Sequence, residues 1–86
     1  MAYALQVEKR VESSFQKLAK KDRPQHIAVF KKIKQVLESP YQFKPLRAPF
    51  NNRRRVHVGS FVLIYSIEER QKIVHIWDYA HHDDAY

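Results

Sequence analysis

The chain opens with Tyr3, Leu5 and Val7 alternating with Ala4 and Gln6, a period of two that predicts a strand over Ala2–Val7 with one buried face. From Lys9 the period changes. Val11, Phe15, Leu18 and Ala19 recur at helical spacing, with Lys17, Lys20 and Lys21 on the remaining surface, so a helix is expected to run to about Asp22. Asp22 then serves as the cap of a second helix with Pro24 in its first turn. Ile27, Phe30, Ile33 and Leu37 supply the apolar stripe of that helix, which Ser39-Pro40 ends. Tyr41–Asn52, with Pro45 and Pro49, reads as a loop holding a short extended piece around Leu46.

Beyond that loop the pattern returns to strands. Gly59, the single glycine of the chain, stands with Ser60 between Arg53–Val58 and Phe61–Ile67, a two-residue connection suited to a type II′ hairpin. A turn at Glu68–Gln71 leads to Ile73–Tyr79, which is apolar on both parities and so predicts an inner strand. Ala80–Tyr86 reads as a polar tail. The order β-α-α-β-β-β defines one α+β domain over residues 1–86, two helices packed on one face of a small, mainly antiparallel sheet.

Hairpin parity divides the side chains between two faces. With Gly59-Ser60 as the turn, Val58 stands opposite Phe61 and Val56 opposite Leu63, and Tyr65 and Ile67 continue this core face. Arg53, Arg55 and His57 then share the other face, with Val62 across from His57. Like charges at alternate positions of one strand gain nothing from packing. Guanidinium groups spaced along a strand do suit a phosphate backbone.

Composition narrows the function classes. Sixteen Lys and Arg against nine Asp and Glu give a net charge of +7, which favours a polyanionic partner. Residues 1–57 hold fourteen basic and four acidic side chains, a balance of +10; residues 58–86 hold two and five, or −3. Eighty-six residues build one modest core and leave little room for a deep substrate cavity. The absence of cysteine excludes a disulfide framework and a thiolate zinc site, and points to the cytoplasm. No apolar run approaches membrane-spanning length. In the terminal His81-His82-Asp83-Asp84, adjacent side chains of an extended tail are expected to diverge, so no metal site is assigned. A flexible tail with no role and acid–base chemistry by a histidine with the Tyr86 hydroxyl are the other two readings of these residues.

Taken in order, the β-α-α-β-β-β pattern, Lys44-Pro45-Leu46-Arg47, the stretch from Arg55 through Gly59 to Tyr65, and the closing His81-x-x-x-x-Tyr86 resemble the RelE/ParE superfamily of toxins from toxin–antitoxin pairs, nearer to its RelE branch. The resemblance implies two helices on one face of the sheet and a concave basic face opposite. It further implies a metal-independent endoribonuclease, with no cofactor, that cuts mRNA in the ribosomal A site by attack of the 2′-hydroxyl on the adjacent phosphate. A RelB-like antitoxin would neutralise it in a hetero-oligomer. Carried over residue by residue, the catalytic group falls on Arg55, His57, His81, His82 and Tyr86, and RNA phosphate binding falls on Lys44, Arg47, Arg53 and Arg54. Where the family hairpin commonly reads Tyr-Arg-Leu, this chain has Phe61-Val62-Leu63, so an expected phosphate-binding arginine is replaced by Val62. The superfamily also contains the ParE branch, which inhibits DNA gyrase without cutting RNA, and a basic RNA-binding accessory protein is a third possibility.

Overall fold

The computed structural model describes residues 3–46 and 52–83. Strand β1 (Ala4–Val7) is followed by helices α1 (Lys9–Lys21) and α2 (Arg23–Glu38), a single 3₁₀ turn at Pro40–Gln42, and strands β2 (Arg53–Val58), β3 (Phe61–Glu68) and β4 (Ile73–His81). The strands form one sheet in the order β1-β4-β3-β2, antiparallel except that β1 runs parallel to β4. The α+β fold and element order expected from the sequence are those observed. Among the described residues no helix is long and apolar enough to cross a membrane.

Local chemistry accounts for the junctions. The Asp22 carboxylate accepts the backbone N–H of Gln25 at 3.2 Å, capping α2 at a point where Pro24 needs no hydrogen bond. Gly59 has φ +63°, which only glycine adopts without strain, and Ser60 keeps a negative φ, as a type II′ turn requires. The resulting register pairs Val58 with Phe61, His57 with Val62 and Val56 with Leu63, as the hairpin parity predicts.

The helices cover one face of the sheet. Val11 and Phe15 of α1, Val29, Ile33 and Val36 of α2, and Val56, Val58, Leu63, Tyr65, Val74 and Ile76 from the strands form a continuous buried core. Each such aliphatic side chain contributes about 1.5–3 kcal/mol by leaving water. The stripe expected on α2 is rotated from the one observed: Ile27 is 48% exposed and Phe30 is 39% exposed, while Val29 and Val36 are fully buried. This helix carries apolar residues on more than one side, and the slender β-branched valines fit against the sheet. Phe30 turns instead toward α1, edge-on to Phe15 at 5.4 Å.

Two further differences concern β4. It extends through Ala80 and His81, which pair with Val62 and Phe61. Backbone pairing needs no apolar side chain, so the polar sequence does not end the strand at Tyr79. The register also shifts between Ile64 and Tyr65, whose partners are Asp78 and Ile76, leaving Trp77 as an extra residue. Val74 and Ile76 therefore face the helices before the bulge and Tyr79 does so after it.

A candidate RNA interface on the open face of the sheet

The sheet face away from the helices carries side chains in rows fixed by the register. Arg55, Ile64 and Asp78 form one row; His57, Val62 and Ala80 form the next. Val62 and Ile64 are buried although they lie outside the helix-side core, so they form the apolar floor of this face.

Lys44 reaches the same region through backbone pairing. The Arg55 N–H donates to the Lys44 carbonyl at 3.2 Å, the Leu46 N–H donates to the Arg53 carbonyl at 2.8 Å, and Pro45 bridges to Arg54, so residues 44–46 flank β2 as a short extended piece. A cleft of about 420 Å³ at this edge is lined by Lys32, Lys44, Arg55 and His57 together with Gln42, Phe43 and Val56. Three of the sequence-predicted residues, Lys44, Arg55 and His57, are thus brought together. Lys32 of α2 joins them and was not anticipated; its signal is its position one residue before the buried Ile33, at the rim of the helix that overhangs β2.

Arg54 departs from the expected grouping. Its parity puts it on the opposite side from Arg53 and Arg55, and its guanidinium donates to the carbonyls of Phe43 at 2.6 Å and Tyr41 at 3.4 Å while lying 5.0 Å from the Tyr41 ring. Those contacts fasten the 40s segment to the sheet. Arg53 is on the open face but is stacked, its Cζ 4.3 Å from the centre of the Trp77 ring, whose other neighbour is the His75 imidazole at 3.9 Å. The Trp77 indole donates to the Ser66 hydroxyl at 2.7 Å, which fixes the ring in place.

The histidines at the end of the chain are not grouped with His57. His81 pairs with Phe61, whose ring it meets edge-on at 5.5 Å, on the side of the sheet that carries Val58 and the helices. His82 sits at the hairpin tip, where its backbone N–H donates to the Ser60 carbonyl at 2.9 Å and its Nδ1 lies 3.1 Å from the same oxygen. Arg47 and Tyr86 lie outside the described residues. The expected divergence of His81, His82 and Asp83 is not observed. Beyond the strand the chain turns, and one ligand atom from each falls within 4.8 Å of the others. His82 Nε2 is 3.1 Å and His81 Nδ1 3.5 Å from the Asp83 carboxylate. Two imidazoles and a carboxylate are a donor set for a transition-metal ion, and their mutual contacts also account for the grouping without one.

Shifted titrations occur elsewhere. Glu69, in the β3–β4 turn, is held down to about 2 by hydrogen bonds from Lys72, Tyr41 and Tyr3, the two tyrosine hydroxyls each at 2.8 Å. Burial pushes the Tyr65 phenol up to about 12, and its hydroxyl donates to the Pro40 carbonyl at 2.5 Å. These groups secure the scaffold below the open face.

The same architecture occurs in solved toxin structures. A chain of the RelBE2 toxin–antitoxin complex from Mycobacterium tuberculosis superposes with a TM-score of 0.80 at 20% identity, over 94% of this chain and 99% of that one. A RelE toxin variant from E. coli, in the free state, superposes equally well at 24% identity over 99% and 88%. In sequence, a protein of Methanocaldococcus jannaschii named "Putative toxin RelE4" is 35% identical over 85 residues, 98% of this chain and 90% of its own length. The family described as the ParE toxin of type II toxin–antitoxin systems matches residues 2–86. The chain belongs to this RelE/ParE family of toxins.

Proposed function

We propose that this toxin is a metal-independent endoribonuclease of the RelE type, cutting mRNA in the ribosomal A site, in the cytoplasm. The observation that carries the reading is the convergence of Lys44, Arg55 and His57, with Lys32, at one edge of the open face. Cations so placed suit the charge that develops on a phosphorane, and the exposed His57 imidazole can carry a proton between oxygens. In the proposed reaction a base takes the 2′-hydroxyl proton, the oxygen attacks phosphorus, and the 5′-oxygen leaves with a proton. The products are a 2′,3′-cyclic phosphate and a 5′-hydroxyl. His57 takes one proton-transfer role, and Lys44, Arg47, Arg55 and Lys32 hold the phosphate. Tyr86 supplies the second proton in this reading. A RelB-like antitoxin is the proposed neutralising partner, in a hetero-oligomer such as the RelBE2 complex forms.

A second reading, inhibition of DNA gyrase without cleavage, is favoured by the ParE description of the matching family and by Val62 in the place of a phosphate-binding arginine. Incubation with programmed ribosomes and mapping of messenger 5′ ends separates the two. A-site cuts that disappear in Arg55→Ala support the nuclease. No cut at any codon, together with arrest of gyrase supercoiling, would overturn it in favour of the second reading.

A further inference from the structure

The chain turns directly after β4, and three donor groups converge at that turn beside the tip of the β2–β3 hairpin. His81 is held by strand pairing with Phe61 and by the edge of that ring, and its imidazole lies 4.5 Å from that of His82, centre to centre. His82 is fastened to the hairpin turn, with its backbone N–H and its Nδ1 both on the Ser60 carbonyl. One ligand atom from each of His81, His82 and Asp83 then lies within 4.8 Å of the others.

The directions of the hydrogen bonds decide what these atoms present to one another. A carbonyl only accepts, so His82 Nδ1 carries the proton, and the neutral ring turns the lone pair of Nε2 toward the Asp83 carboxylate, 3.1 Å away. His81 Nδ1 accepts the Asp83 N–H at 3.3 Å, so it too carries a lone pair, and it stands 3.5 Å from the same carboxylate. Two neutral imidazoles thus aim acceptors at an anion, which repels unless a cation lies between them. An extra proton on His82 relieves one of these contacts and leaves the other.

A divalent ion relieves both. Bonds of about 2.0–2.2 Å to nitrogen and oxygen set neighbouring donors of a tetrahedral zinc site roughly 3.3–3.5 Å apart. The two contacts with Asp83 are 3.1 and 3.5 Å. The Ser60 carbonyl supplies the outer hydrogen bond that orients a metal-binding imidazole.

We propose that His81, His82 and Asp83 bind a divalent ion of the Zn²⁺ class, which clips the end of β4 to the hairpin turn through His82 and Ser60. Two imidazoles and a carboxylate select such ions over Mg²⁺ and Ca²⁺, which prefer oxygen donors throughout. Three protein ligands leave the fourth position to water, and side chains 40%, 50% and 74% exposed let the ion enter from solvent. The proposed cleavage stays at Arg55 and His57 and does not pass through the ion, so the site stands or falls independently of the nuclease reading.

The experiment titrates the full-length chain, produced without a histidine tag, with ZnCl₂ and separately with MgCl₂ by isothermal calorimetry. One saturable site for Zn²⁺ and none for Mg²⁺ is expected. Zn²⁺ at a hundredfold excess over its Kd should raise Tm by about 10–20 °C. His82→Gln and Asp83→Asn alter exposed side chains, so the fold is kept, and each should weaken Zn²⁺ binding at least about tenfold, as loss of even a supporting hydrogen bond does in metal sites. No saturable Zn²⁺ site, equal binding of Mg²⁺, binding with no rise in Tm, or unaltered affinity in either variant overturns the inference. The last result would move the ion to His26, His57 or His75.

Discussion

Replacing Arg54 with alanine tests whether neighbouring arginines on one strand do different work. Its guanidinium donates a 2.6 Å hydrogen bond to Phe43 and a longer one to Tyr41, and lies over the Tyr41 ring. A hydrogen bond from a charged donor contributes about 1.5–3 kcal/mol net, and a cation over an exposed ring about 0.5–1 kcal/mol. The 3.4 Å bond is at the weak limit and adds little. Arg54→Ala should therefore cost about 2–4 kcal/mol, which for a domain of this size lowers Tm by roughly 8–30 °C. The assay is thermal unfolding followed by circular dichroism, paired with ribosome cleavage at a temperature where wild type and variant are both folded. Arg55→Ala, by contrast, should abolish cleavage at that temperature. An Arg54→Ala protein that melts like wild type but no longer cuts would refute the reasoning and make Arg54 a phosphate ligand.

Tyr65→Phe removes a fully buried hydroxyl from the Pro40 carbonyl and should cost about 1–3 kcal/mol, read as a lower denaturant midpoint with unchanged slope; an unchanged midpoint would show that the carbonyl finds another donor. Glu69 sits at about 2 in the folded chain against 4.5 ordinarily, so its contribution is complete above pH 4.5 and lost as pH falls toward 2. The Tm gap between wild type and Glu69→Gln should accordingly be constant near neutrality and narrow below pH 4.5, and a gap independent of pH would contradict the assigned hydrogen bonds. Adding a chelator should leave messenger cleavage unaltered; loss of cutting would instead point to the His81, His82 and Asp83 donor set.

Much of this was legible in the chain because one residue determined it. Gly59 defines the turn, the turn defines the register, and parity then places Arg55 and His57 on one face and Val56 and Val58 on the other. The same parity already separates Arg54 from Arg53 and Arg55, but what Arg54 binds depends on a segment that returns from eleven residues away. The stripe on α2 was ambiguous because Ile27, Val29, Phe30, Ile33, Val36 and Leu37 offer two overlapping helical faces, and only the sheet beneath selects between them. The bulge at Trp77 has no local signature. Without it the joint presence of Trp77 and Asp78 on the open face could not be read. His81 was misplaced for a related reason: strand pairing by its backbone continues past the last apolar side chain.

The parallel pairing of β1 with β4 has a consequence for when the molecule comes into being. Ala4 meets Ile73, 69 positions later in the chain, and β4 is an inner strand holding β1 on one side and β3 on the other. During synthesis the N-terminal strand and both helices emerge first but cannot close their core until β4 has followed them. Before then the row that sets Arg55 beside Ile64 and Asp78 does not exist, so the candidate site forms only together with the whole sheet.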